Sequence, residues 1–135
     1  MDQEHHETEL VKAFIRREKH DRFLSFLSHP KKRPKATDML YHLRDLDERY
    51  IVQIELNGLS PDQIARQLRD RGASKTCCVI STNSELDAQE LDLQAVLEEI
   101  VGGSDGSLLS CVPGELAYYE GESPNNRCML QRSIG

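Results

Sequence analysis

The run Thr76-Cys77-Cys78-Val79-Ile80-Ser81 restricts the fold more than any other stretch of this chain. It is short, continuously apolar and partly β-branched, the pattern of a strand buried on both faces. A helix signal flanks it on each side. Upstream, Ser60 is placed as an N-cap, Pro61 at the first helical position and Gln63 at the third, which is a capping box; Ile64, Ala65 and Leu68 then give an apolar face and Gly72 a stop. Downstream, Leu91, Leu93, Val96, Leu97, Ile100 and Val101 are spaced as a buried stripe that ends at Gly102-Gly103.

Nearer the N-terminus, Leu10, Ala13 and Phe14, then Phe23, Leu24, Phe26 and Leu27, recur at helical spacing, interrupted by the polar stretch Arg16 to Arg22. This fits one long helix or two shorter ones meeting near Lys19, ending by Ser28 because Pro30 restricts the residue before it. Residues 1–8 are expected to form a frayed tail. Residues 29–35, His-Pro-Lys-Lys-Arg-Pro-Lys, read as a basic loop, and Thr37 or Asp38 as the cap of a short helix carrying Leu40, Tyr41 and Leu43. Tyr50 to Ile54 has strand character in a run too short to exclude helix. The C-terminal part predicts three strands in succession, Leu108–Val112, Leu116–Tyr119 and Arg127–Arg132. Pro113-Gly114 supplies a type II turn between the first two, within a connection of three to five residues.

A chain of 135 residues sits at the usual size of one domain. The order of elements predicts an α/β or α+β domain over residues 9–135, with N-terminal helices packed on a mixed sheet of four to five strands ending in an antiparallel meander. Parallel pairing is open across the helix of residues 90–102. No window is apolar enough to span a bilayer and the N-terminus lacks a secretory pattern, so a soluble, cytoplasmic protein without a membrane role is expected. Cys77, Cys78, Cys111 and Cys128 match neither a disulfide framework nor zinc-ligand spacing, and read as buried reduced thiols with no metal.

The net charge of −6 conceals an asymmetry along the chain. Residues 11–36 carry nine cations (Lys12, Arg16, Arg17, Lys19, Arg22, Lys31, Lys32, Arg33, Lys35) against Glu18 and Asp21, so 9 − 2 gives +7. Residues 82–122 carry ten carboxylates and no Lys or Arg, giving −10. Arg16, Arg17, Lys19, Arg22, Lys31, Lys32, Arg33 and Lys35 are therefore the candidate binding residues, for an acidic macromolecular surface.

Catalytic signals are sparse. There is no phosphate-binding Gly-Lys loop, dinucleotide fingerprint, nucleophile elbow or zinc-protease motif, and no cofactor is implied. Cys111 has Val112, Pro113 and Glu115 beside it rather than a base or cation, and every His precedes residue 43. Glu115, Glu120 and Glu122, with Arg127 across a strand pair, form a candidate acidic site near the 107–122 hairpin, weighed against the simpler role of keeping a hairpin end soluble.

The leading expectation is a small non-catalytic interaction module with a protein partner or self-association. One alternative is a nucleic-acid-binding or ribosome-associated protein using the same cations, where five phosphate contacts would give a salt slope of roughly −4.5. Another is an enzyme using the carboxylates of the hairpin.

Overall fold

The computed structural model describes residues 3–122 and 126–132. Among these residues, five α-helices, α1 (Gln3–Phe14), α2 (His20–Ser28), α3 (Arg33–Thr37), α4 (Pro61–Asp70) and α5 (Leu93–Ile100), accompany five strands, β1 (Thr76–Ser81), β2 (Glu90–Asp92), β3 (Ser107–Val112), β4 (Leu116–Glu120) and β5 (Arg127–Gln131). The strands form one open sheet in the order β2-β1-β3-β4-β5. Among the described residues, no helix is long and apolar enough to cross a membrane.

Strand alternation explains why the core has two halves. Ile80, Leu108, Ala117, Tyr119 and Leu130 point to one face, where they pack with Leu10, Phe14, Phe23, Leu27 and Leu40 of the N-terminal helical layer. Val79, Leu109, Tyr118 and Met129, one residue out of phase, point to the other and pack with Ile64 and Leu68 of α4 and Leu93 and Leu97 of α5. The expected double-sided burial of β1 thus arises from a helical layer on each side of the sheet.

Every strand pair is antiparallel, including β1 with β3, so the sheet is not mixed. The reason is β2, a three-residue strand that the sequence reading did not contain. It turns the chain back along β1 before α5 begins, with Cys77 opposite Leu91. Helix α5 therefore connects β2 to β3, two strands that run the same way on either side of β1, and β1 meets β3 in the opposite sense. A parallel β1-β3 pair would have required α5 to follow β1 directly.

Local signals account for the other boundaries. Ser60 Oγ accepts from the Gln63 N–H at 3.2 Å while the Ser60 N–H donates to Gln63 Oε1 at 2.8 Å, completing the capping box of α4. Asp92 caps α5 by accepting from the Ala95 N–H at 2.9 Å. The polar break separates α1 from α2 through a 3-10 turn at Arg17–Lys19. Between β3 and β4, Gly114 takes φ +70 and the Glu115 N–H donates to Val112 O at 3.0 Å, so three residues reverse the chain through the anticipated turn.

Two expectations need correction at the N-terminal end. Residues 3–8, read as a frayed tail, are the first turns of α1, held because Gln3 Nε2 donates to Glu7 Oε2 at 2.7 Å and to the Val79 carbonyl of β1 at 3.1 Å. Residues 1 and 2 of that tail lie outside the described residues. The basic loop 29–35 is helical from Arg33 onward, with Pro34 in the first turn of α3, where its missing N–H costs nothing. Tyr50–Ile54 forms no full strand but docks on the edge of β5, with a bridge from Ile51 to Leu130 and a Val52 N–H bond to Met129 O at 2.8 Å.

Tyr119 fastens the helical layer to the sheet. Its hydroxyl donates to the Leu40 carbonyl at 2.6 Å and accepts from the Leu43 N–H at 3.0 Å. Gly106 permits this approach, since a Cβ there would fall 2.3 Å from the Leu40 carbonyl carbon.

Candidate anion-binding surface

Some of the chain's charge is consumed by the fold. The Arg33 guanidinium donates to both Glu7 oxygens, at 3.0 and 2.7 Å, and to both Asp87 oxygens, at 2.7 and 3.0 Å. Asp87 also accepts from the Ser81 N–H at 2.9 Å. Burial disfavours the charge on Arg33, but the bonds and fields of Glu7 and Asp87 outweigh that and hold its pKa above the ordinary range. Arg33 therefore tethers α1, α3 and the segment after β1, and does not belong to the open cationic surface. It is also the one ion pair between the basic 11–36 region and the acidic 82–122 region among the described residues.

A second closed network lies at the far end of β4. Glu120 and Arg127 are cross-strand partners with side chains 1% and 6% exposed, and Arg127 Nη2 donates to Glu120 Oε2 at 2.9 Å. The Gly102 N–H donates to the same oxygen at 3.1 Å and the Tyr118 hydroxyl to Oε1 at 2.5 Å. Burial, reinforced by the neighbouring carboxylate, pushes the Tyr118 hydroxyl well above its usual pKa.

The remaining acidic candidates do not join this pair. Glu122 is exposed and bonded to His42 at 2.9 Å. Glu115 lies before the start of β4, about 17 Å of extended chain from Glu120, in a separate cleft with Arg71 and Arg132. The structure thus brings Glu120 and Arg127 together, away from solvent, and leaves Glu115 and Glu122 apart.

The cations of the N-terminal helical layer have a different setting. Arg16 makes an exposed contact with Glu48 at 3.8 Å. Among the described residues, Lys12, Arg17, Lys19, Arg22, Lys31, Lys32 and Lys35 have no carboxylate within ion-pair distance. All are exposed except the half-buried Lys19. Arg22 and Lys35 flank the half-buried Phe26 ring, at 5.6 and 5.7 Å from its centroid. These cation-π contacts order the two side chains without neutralising them.

At the opposite end of α2 the structure forms a cleft of about 230 Å³ lined by Lys12, Ala13, Ile15, Arg17, His20, Asp47, Arg49, Tyr50 and Arg132. Two isolated bridges assemble it. The Ile15-Leu46 bridge, with the Arg16 N–H donating to Asp45 O and the Asp47 N–H to Phe14 O, both at 2.7 Å, places Asp47 and Arg49 beside the end of α1. The Ile51-Leu130 bridge places Tyr50 beside Arg132. The Tyr50 ring meets Phe14 edge-on at 6.2 Å and has the Arg49 and Arg132 guanidinium carbons at 5.2 and 4.8 Å from its centroid. His20 Nε2 donates to the Ile15 carbonyl at 2.6 Å.

Among the described residues, the one carboxylate lining this cleft, Asp47, is taken by Arg49, whose Nε and Nη2 donate at 3.0 and 2.7 Å and whose backbone N–H adds a bond at 3.1 Å. Those bonds, chiefly the side-chain ones, hold the Asp47 carboxyl below its usual pKa. Arg17 was among the sequence candidates for binding; Arg49, Tyr50 and Arg132 were not. Nothing local marks them, because the cleft depends on β5 register and on two single-residue bridges.

A recess of about 590 Å³ between α1 and α2 has the opposite character. Its lining includes Glu4, Glu7 and Asp21, while its one cation, Arg33, is already bonded to Glu7 and Asp87. Size alone does not make it the anion site.

Cys77, Cys78 and Cys111 are buried and Cys128 half-buried, all as free thiols. Burial pushes Cys111 and Cys128 up to about 12, and Cys77 higher still, which removes the thiolate a nucleophile requires. Cys77 packs with the α4-α5 side of the core, while Cys78 is one residue out of phase on the same strand. Among the described residues, no group of three or more His, Cys, Asp or Glu side chains is arranged to hold a metal ion.

No family model matches the chain, and neither does a curated protein or a solved structure.

Proposed function

We propose that this protein is a non-catalytic binding module whose N-terminal helical layer presents an open cationic surface to an acidic protein partner. One observation carries the reading: seven cations of residues 11–36 lack a carboxylate partner among the described residues, while Arg33 and Arg127 are closed in ion pairs. Uncompensated like charges raise the self-energy of the folded chain, and a complementary surface relieves it and steers association.

The aromatic rings favour a protein partner over single-stranded nucleic acid. Base stacking needs an open ring face; Phe26 and Tyr50 each have two cationic groups 4.8 to 5.7 Å from the ring centroid, Phe14, Phe23, Tyr118 and Tyr119 are buried, and Tyr41 is half-buried. On the other face of the sheet, Glu98 and Glu99 are exposed on α5.

Fluorescence anisotropy tests the proposal by titrating the full chain into labelled polyglutamate, duplex DNA and single-stranded DNA across a salt series. Binding of the acidic polypeptide that weakens with salt is the expected outcome. Preferential binding of either nucleic acid at matched ionic strength would transfer the surface to the nucleic-acid reading, and no binding to any probe at low salt would end both. Sedimentation of the free protein at low salt provides the check on self-association; a concentration-dependent oligomer would mean that the acidic partner is a second copy.

A further inference from the structure

The cleft at Tyr50 differs from the rest of the cationic surface in being built rather than merely exposed. Its cations come from four separate places: Lys12 on α1, Arg17 in the following 3-10 turn, Arg49 in the turn Glu48–Tyr50, and Arg132 just past β5. Four cations minus the one carboxylate, Asp47, leave a formal charge of +3 in a recess of about 230 Å³, with His20 counted neutral. Asp47 is hydrogen-bonded to Arg49 and also attracts Arg132 through space, but among the described residues no carboxylate lies within ion-pair distance of Lys12, Arg17 or Arg132. Converging cations repel one another, and the cost falls when an anion occupies the space between them.

Two of the three guanidinium groups, those of Arg49 and Arg132, are also ordered in advance. Arg49 is fixed by both Asp47 and the Tyr50 ring, and Arg132 lies over that ring with no carboxylate partner among the described residues. Ordering long side chains before binding reduces the entropy lost on association. Planar guanidinium forks suit phosphate oxygens, and a phosphomonoester carries about −1.5 to −2 charge at neutral pH with three acceptor oxygens. A carboxylate would offset less of the charge. The volume is below the roughly 300 to 1,000 Å³ of sites that engulf a whole cofactor or drug-sized molecule, which suits a single anionic group on the end of a side chain.

We infer that the Tyr50 cleft is a phosphate subsite of the cationic surface, receiving a phosphorylated serine or threonine side chain of the acidic protein partner. This rests on the proposed function above and specifies the chemistry of its partner. Arg clusters are a recurring means of recognising phosphorylated acidic segments.

The test measures full-chain binding to three probes at constant ionic strength: an acidic peptide containing one phosphoserine, the same peptide with serine, and inorganic phosphate. In the wild-type chain the phosphopeptide is expected to bind about tenfold more tightly than the serine peptide, and to shift the NMR signals of Arg17, Arg49 and Arg132. Arg17→Ala/Arg132→Ala should reduce that ratio to about one. Lys31→Glu/Lys32→Glu/Lys35→Glu should weaken both peptides and preserve the ratio. All five altered positions are exposed, and unchanged melting curves would verify that both variants fold. Equal affinity for the two peptides in the wild type would overturn the phosphate subsite while leaving the cationic surface standing. A tenfold ratio that survives Arg17→Ala/Arg132→Ala would overturn its placement, and inorganic phosphate binding as tightly as the phosphopeptide would overturn the assignment to a polypeptide. Failure of both peptides to bind would refute the parent reading instead.

Discussion

Arg127 and Arg132 lie five residues apart, one opening β5 and the other just beyond its end, and their side chains meet opposite surroundings. Arg127 is buried against Glu120, whose second oxygen is occupied by Tyr118. Arg132 is exposed over the Tyr50 ring with no carboxylate partner among the described residues. The closed pair is built to be left undisturbed, and its contribution should be read in stability. The open cation has little to hold together, so its contribution should be read in binding.

Glu120→Gln should break the closed side most severely. The amide can keep some of the hydrogen bonds, but Arg127 loses its counterion in a buried site, and a loss of about 3 to 5 kcal/mol is expected in urea denaturation. Glu120→Leu/Arg127→Met/Tyr118→Phe should recover part of that loss, since it removes the orphaned charge and the buried hydroxyl that Glu120 accepts from, and leaves the Gly102 N–H as the donor without its acceptor. If both variants are equally damaged, packing rather than charge explains the site.

Arg33→Ala extends the comparison to a cation that sequence reading assigned to the open surface. Removing it leaves Glu7 and Asp87 facing one another across partly buried ground, at an expected cost of about 2 to 3 kcal/mol. A change near zero would return Arg33 to the open group.

Alkaline pH probes the closed core more gently. Burial pushes the Cys111 and Cys128 thiols up to about 12 from an ordinary value of 9.0. Below that ordinary value the folded and unfolded chains both retain these protons. Above it the unfolded chain releases them first, so stability should be flat to about pH 9 and decline between about pH 9 and 12. Denaturation midpoints across that range provide the measurement; a midpoint independent of pH would mean that the thiols are open to solvent.

The elements that sequence made legible were those specified by neighbours in the chain. The capping box at Ser60, the turn at Pro113-Gly114, the double-sided burial of β1 and the terminal meander each depend on a few adjacent residues. Strand β2 was not legible, because three residues, Glu90-Leu91-Asp92, carry too little period to separate them from the start of α5. That one strand reverses the pairing sense of β1 with β3. The candidate site was half legible. A cation-rich segment is visible as composition, but whether each cation is spent depends on distant partners, as Arg33 and Asp87, 54 positions apart, make plain. Arg132 joins Arg17 only through β5, the docked Tyr50 segment and the end of α1.

The smallest stability effect should accompany the largest binding effect, in Lys31→Glu/Lys32→Glu/Lys35→Glu. These exposed side chains have no carboxylate partner among the described residues, and their reversal should change unfolding free energy by no more than about 0.5 kcal/mol per site. Anisotropy with labelled polyglutamate at low salt, run on this variant beside the wild type, therefore bears most directly on the open surface. Near-native stability with acidic-polypeptide affinity reduced by about tenfold or more is the expected result. Equal affinity for the wild-type and charge-reversed chains would contradict it.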